Sequence, residues 1–329
     1  MTDLVQQAPK NKSRIELIDA ARGLALVAMA IYHFAWDLEF FGYATPGMTA
    51  VGGWRLFARS IASSFLFLVG FSLFLAHVRT VRWQPFRWRL VQVGGAAAAI
   101  TLVTYFATPD AFIFFGILHH IALASLVGLA FLRLPAVAVA VIALGVIALP
   151  AIWRSDIFNG MTLAWTGLAA DNPRSNDFVP LFPWFGAVLF GMAAAKIARA
   201  SGWTEREAGK PLPGWTRPLQ FAGKHSLAFY LVHQPVLIGL IFLASQIVPP
   251  QAEEPRTGFL RACETQCAQT RDAVFCEMYC GCVVAQIDGD ARAGEIYTGA
   301  PSETATAWLS EVAAQCSIST NLDIPGERE

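Results

Sequence analysis

Charge is what this chain has little of: 15% of its 329 residues are Asp, Glu, Lys or Arg, where a soluble globular domain carries about a quarter. Basic and acidic residues balance at 24 each. No basic surplus therefore points to nucleic acid, and no such partner is expected. Cysteine is missing from the first 262 residues; all six lie between Cys263 and Cys316. No cleavable signal peptide is expected either, because the N-terminus is polar and the first apolar run is too long and too interrupted for an h-region.

Apolar residues, 55% of the chain, take up the room. They gather into runs near the roughly 20 residues that cross a bilayer. Seven candidate spans result, at 17–41, 56–76, 90–107, 112–132, 134–153, 182–199 and 226–248. The sixth is short and opens on Phe-Pro-Trp-Phe. Apolar character falls after Val248. The expected fold is all-α: a polytopic transmembrane helix bundle of about seven spans with a small Cys-rich, mainly helical C-terminal tail outside the membrane. Three segments follow: 1–14 as a cytoplasmic N-terminal piece, 15–248 as the transmembrane domain, and 249–329 as the extracytoplasmic tail.

Basic loops stay cytoplasmic. Lys10, Lys12 and Arg14 precede the first span; Arg79, Arg82, Arg87 and Arg89 join the second to the third; Lys196, Arg199, Arg206, Lys210 and Arg217 join the sixth to the seventh. If all the spans are real, these groups share one side. The 154–181 loop, with Asp156, Asp171 and Asp177, then faces out, as does the tail.

The cysteines give an independent reading. Disulfides belong to oxidising compartments, and an even set suits a disulfide framework. Cys263 and Cys267 form one i,i+4 pair and Cys276 and Cys280 another, each on one helix face. A tight helical hairpin would join Cys263 to Cys280 and Cys267 to Cys276, leaving Cys282 for Cys316, among several formal connectivities. The alternative is a zinc cluster, which the three-residue spacing fits poorly; no metal is expected.

The first span carries Asp19, Arg22, His33 and Asp37 at helical spacing, on one face. Charges in a span are expensive and usually face a protein interior or a wet cavity. Asp19 with Arg22 is either an ion pair that seats the helix or the anchor for a phosphate-bearing cofactor. His33 lies eleven residues past Arg22, about 16 Å along the axis, a distance an extended pantetheine arm also covers. Asp37, one turn on, would orient His33 as a base; the bland reading is a packing hydrogen bond.

Other groups fall at matching depth. His119 and His120 lie about eight residues into the fourth span, level with His33, and neighbours on a helix point about 100° apart, so one of them faces the site. Arg55 and Arg59 begin the second span on the side where the charge rule would not put them. Arg59 either pairs with an acid such as Asp37 or holds an anionic group. Asp177 is the matching acid of the outer loop, a candidate for acceptor binding. His233 sits in Tyr230-Leu-Val-His-Gln-Pro235, nearer the cytoplasmic half of the last span. Pro235 frees the carbonyl of Leu231; the resulting kink either opens room for a cofactor or is satisfied by neighbours.

With Asp19-x2-Arg22-Gly23-x9-His33 in view, the chain resembles the membrane acyltransferase superfamily, in which a basic residue precedes a His in the first span. It is most similar to bacterial relatives of the heparan-α-glucosaminide N-acetyltransferase catalytic domain. Phe115-Gly-Ile-Leu-His-His120, Phe182-Pro-Trp-Phe-Gly186 and Gly223-Lys-His-Ser-Leu-Ala-Phe-Tyr-Leu-Val-His-Gln-Pro235 carry the likeness, over about residues 14–248. The resemblance implies acetyl-CoA as acyl donor on the cytoplasmic side and an amino-sugar or hydroxyl acceptor, a small molecule or glycan, on the far side. It also implies an intramembrane His. The expected home is a bacterial inner membrane, and the loop charges and cysteines put the N-terminus in the cytoplasm and the C-terminus in the periplasm. The residue roles expected are His33, Asp37, His119 and His120 for catalysis, Arg22, Asp19 and His233 for the donor, and Arg59 and Asp177 for the acceptor.

Two other functions use some of the same residues. A proton-coupled transporter or flippase would employ the intramembrane His and Asp, although no internal repeat is visible. A membrane anchor presenting the tail would account for the cysteines but not for the polar stripe. Acceptor identity, acyl length and homo-oligomerisation are left open.

Overall fold

A backbone in hydrocarbon has to satisfy its own hydrogen bonds, so the long apolar runs are committed to helix. The computed structural model describes residues 15–250, 254–268, 270–299 and 301–323; the basic residues Lys10, Lys12 and Arg14 lie outside the described residues. Among the described residues the helices are α1 (Glu16–Phe40), α2 (Gly52–His77), α3 (Trp83–Ala107), α4 (Ile117–Gly128), α5 (Ala136–Ile152), α6 (Met161–Ala164) and α7 (Leu181–Ala200). After them come α8 (Trp203–Glu207), α9 (Arg217–Lys224), α10 (Ser226–Ile247), α11 (Pro255–Cys267), α12 (Ala273–Asp288), α13 (Ala293–Tyr297) and α14 (Glu303–Asp323).

Five of these, α1, α2, α3, α7 and α10, are long and apolar enough to cross a bilayer, which corrects the expected number of about seven. The runs at 112–132 and 134–153 are realised as the shorter apolar helices Ile117–Phe131 and Ala136–Ile152. At 1.5 Å per residue these reach only about 23 and 26 Å, less than the hydrocarbon thickness of about 30 Å. The first is shortened by α3. The Thr101 hydroxyl donates to the Ile113 carbonyl at 2.6 Å and Thr104 Oγ1 accepts the Ile113 N–H at 3.0 Å, so residues ahead of Gly116 are held out of the helix. Pro135 fixes the start of the second.

The described chain forms two compact units, residues 15–33 with 53–237 and residues 34–52 with 238–323. In the first, a core of Leu66, Ile117, Val139, Val188, Leu189 and Met192 joins α2, α4, α5 and α7. With lipid as solvent, helices associate through close packing more than through burial of oil. Two glycine crossings supply it. A Cβ on Gly70 would meet the Val188 carbonyl and one on Gly191 the Phe67 carbonyl, so α2 and α7 touch backbone to backbone. Likewise Gly23 meets the Leu219 carbonyl and Gly223 the Asp19 carbonyl, bringing α1 against α9. The apolar side chains Val91, Leu102, Val103 and Phe106 of α3 remain exposed, as suits a lipid-facing helix.

In the second unit the Glu39 carboxylate closes the loop after α1. It accepts the N–H groups of Gly47 and Thr49 at 2.5 and 2.9 Å and the Thr49 hydroxyl at 2.7 Å. The Tyr43 hydroxyl donates to the Val248 carbonyl at the end of α10. Asp272 caps α12 by accepting the Phe275 N–H at 3.0 Å, and a small core of Val283, Ile287, Ile296, Val312 and Cys316 holds the tail helices. Disulfides join Cys263 to Cys280, Cys267 to Cys276 and Cys282 to Cys316, the hairpin pairing expected. Arg292 grips Asp290 through two bonds of 2.7 and 2.8 Å and lies 4.2 Å over the Trp308 ring. Those bonds hold the Asp290 carboxyl down at about 2.

Candidate active site

The polar stripe of α1 begins in a network. Arg22 Nη1 lies 3.3 Å from Asp19 Oδ1 and Nη2 donates to the Ser72 hydroxyl on α2. Asp19 is buried. Two of the three residues expected to hold the donor, Arg22 and Asp19, are thus engaged with protein groups. Ser72 also lines a cavity of about 180 Å³ between α2, α3 and α4. His77, Arg82, Arg89 and Ser125 line it too, and no carboxylate does among the described residues. From the sequence, Arg82 and Arg89 are orienting charges only. A binding role has no sequence signal of its own, because a cytoplasmic loop arginine looks the same either way.

Further along α1, His33 meets His233 of α10 edge-on, with ring centroids 5.0 Å apart. The sequence placed His233 nearer the cytoplasmic half; the structure puts the two imidazoles at one level. The reason is the glycine crossing, since Gly223 lies against Asp19 and the histidines follow these residues by ten and fourteen positions. His233 Nδ1 is 2.7 Å from the Tyr230 carbonyl, which accepts only, so Nδ1 carries the proton. Among the described residues its buried Nε2 has no hydrogen-bond partner, so it keeps its lone pair. Tyr32 packs beside His33 at 5.7 Å. Asp37, one turn beyond on α1, is fully buried and belongs to the second unit.

The two histidines of α4 differ. His119 Nδ1 accepts the Gly116 N–H at 3.2 Å, which leaves Nε2 to donate to Thr101 at 3.1 Å, so both nitrogens are spent on the helix start. His120 is fully buried and donates from Nδ1 to the Val179 carbonyl at 3.2 Å. Its Nε2 has no partner among the described residues. Of the pair, His120 alone offers a vacant nitrogen.

Asp177 is built into the frame. Its Oδ2 accepts the Ile117 N–H at 2.9 Å, satisfying one orphan donor at the α4 N-terminus, and it is hydrogen-bonded to the Tyr230 hydroxyl. Burial pushes this carboxyl up. Gly116 leaves the space, because a Cβ there would strike the Asp177 carboxylate. Tyr230 is a residue that sequence reasoning missed as part of the site. Arg59 is exposed on α2, as is Arg55 one turn before it. Among the described residues no three His, Cys, Asp or Glu side chains converge as metal ligands would.

The arrangement combines a cation-lined cavity at the level of Arg22 with two facing imidazoles, His33 farther along α1 and His233 on α10. Those are the parts needed to hold an anionic donor and to move a proton at its far end. The model of the family described as heparan-alpha-glucosaminide N-acetyltransferase, catalytic, matches residues 14–235, about two thirds of the chain. No curated protein and no solved structure matches. The chain belongs to the heparan-alpha-glucosaminide N-acetyltransferase catalytic family and is a membrane-embedded, acyl-CoA-dependent acyltransferase.

Proposed function

We propose that the enzyme takes an acetyl group from acetyl-CoA on the cytoplasmic side and delivers it to an amino-sugar or hydroxyl acceptor on the extracytoplasmic side. The phosphates of the donor occupy the cavity of Arg82, Arg89, His77 and Ser72, where guanidinium groups suit phosphate oxygens. Ser72 bonds to Arg22, and His33 is eleven residues farther along α1, about 16 Å. The pantetheine arm spans that distance and presents its thioester to the paired imidazoles. His33 removes the proton from the acceptor nitrogen or oxygen, which attacks the thioester carbonyl. The carbon–sulfur bond then breaks, and the departing thiolate of coenzyme A takes up a proton. His120, with its vacant nitrogen, serves the acceptor or the tetrahedral oxyanion once protonated.

The sidedness rests on loop charge and parity. Basic loops follow α2 and α7, and these stay cytoplasmic. The helices α4 and α5 form a consecutive pair, so the remaining spans alternate in the same way whether or not that pair crosses. Either count leaves the N-terminus inside and the disulfide-bearing tail outside, in the periplasm of a bacterial inner membrane, where an oxidising compartment suits it.

The edge-on approach of His33 to His233, with the second nitrogen of His233 unclaimed, carries this reading. It is tested with the full chain in lipid nanodiscs, labelled acetyl-CoA and glucosamine as acceptor. His33→Ala is expected to lower transfer by about 10²–10⁴-fold while acetyl-CoA still binds. A variant that transfers at the parental rate would remove His33 from the chemistry.

A further inference from the structure

Among the described residues Arg55 and Arg59 are two cations without a counterpart. Both are exposed, and neither makes an ion pair or hydrogen bond with another described residue. They stand one turn apart on α2 and share a face. The helix has 26 residues, or about 39 Å, so it overhangs a hydrocarbon core of about 30 Å by a few ångströms at each end. Arg55 is three residues from the Gly52 end and Arg59 seven. Their long side chains therefore snorkel to the phosphate level of the leaflet at that end. On the acyl-transfer reading above this is the outer leaflet, where the charge rule does not place arginine. An unpaired guanidinium in a span calls for an anion, and the matching partner at that depth is a phosphate.

The same turn of α2 points toward the site. Trp54, next to Arg55, packs its ring 6.3 Å from Tyr32, and Tyr32 packs 5.7 Å from His33. The arginines thus stand at the end of α2 whose Trp54 ring reaches His33 through Tyr32. We propose that Arg55 and Arg59 bind the phosphodiester of a lipid-borne acceptor, an amino sugar carried on a lipid phosphate in the outer leaflet, and so set the sugar against His33. The inference rests on the acyl-transfer reading and adds the class of acceptor to it.

The test uses the full chain in phosphatidylcholine nanodiscs with labelled acetyl-CoA and two acceptors of equal chain length. One is octyl glucosaminide; the other is glucosamine joined to octanol through a phosphodiester. The parental enzyme is expected to favour the phosphodiester by about tenfold or more in kcat/KM, and Arg55→Gln/Arg59→Gln to bring that ratio to about one. The Arg55→Lys/Arg59→Lys variant, which keeps both charges, retains part of the preference. A parental enzyme without preference, or a glutamine variant that slows on both acceptors with the ratio intact, overturns the proposal. Binding is read separately by native mass spectrometry of the same nanodiscs, without turnover. Retention of the phosphodiester by the parental chain and not by the glutamine variant supports the site even if neither acceptor is acetylated, an outcome that would count against the acyl-transfer reading instead. Displacement of the phosphodiester by equimolar phosphatidylglycerol would show an ordinary headgroup contact and overturn it.

Discussion

One carboxylate, that of Asp177, ties the Tyr230 hydroxyl to the first backbone N–H of α4 at Ile117. The α10 helix that carries His233 is thereby fastened to the helix that carries His120. Tyr230→Phe removes one hydrogen bond to a charged group and leaves the Ile117 contact. Asp177→Ala strands both donors. The expected losses are about 1–2 kcal/mol for the first and about 2–4 kcal/mol for the second, read as thermal unfolding in detergent. Equal unfolding temperatures for the two variants would show that the carboxylate does not serve both partners.

The cavity beside α3 makes a second prediction. Arg89→Gln is expected to raise KM for acetyl-CoA by about 10- to 100-fold, the worth of a charge-assisted contact, with little change in kcat. Acetyl-dephospho-CoA, which lacks one phosphate, provides the control. A variant whose KM stays at the parental value for both donors would place the phosphates elsewhere.

Helix crossings give a third. Gly191 rests on the Phe67 carbonyl, whereas among the described residues nothing approaches Gly145 on α5. Gly191→Leu should force α2 and α7 apart and abolish monodisperse protein on size exclusion. Gly145→Leu adds a lipid-facing side chain and should elute as the parent does. Indistinguishable profiles would deny the close approach.

Proton linkage in the tail is the fourth. The Asp290 carboxyl, held at about 2 by Arg292, has an ordinary value near 3.8. Its folded-state affinity for protons is depressed, so its stabilisation is complete above about pH 4 and fades as pH falls toward 2. Asp290→Asn should therefore narrow the difference in tail stability between pH 5 and pH 2, followed by near-ultraviolet circular dichroism. An unchanged difference would mean that the pair does not persist in solution.

The sequence shows some of this architecture and hides the rest for physical reasons. Long apolar runs disclose α1, α2, α3, α7 and α10 because length and composition are what a bilayer selects. The cysteine pairs at i,i+4 suggest a helical hairpin but leave its pairing open, and the structure joins Cys263 to Cys280 and Cys267 to Cys276. The run at 112–132 gives no sign that its first residues leave the helix, since the cause lies in Thr101 and Thr104 of another helix. The level of His233 is hidden likewise, because a contact of Gly223 with Asp19 sets it. Tyr230 and Asp177 are 53 positions apart, beyond any local pattern. Arg82 and Arg89 carry a charge that already has an orienting role, and only the cavity distinguishes the second use.

The loop after α1 has an implication for biosynthesis. Tyr43 leaves the ribosome early, yet the carbonyl it bonds, at Val248, is translated 205 residues later. Glu39 can fold its own loop as soon as that loop emerges, but the clasp to the end of α10 has to wait for the final span. Local closure precedes distant closure, as the entropy of long-range contacts requires. The loop after α1 therefore stays unclasped to α10 until Val248 itself has been made, however early Glu39 has closed the rest of it.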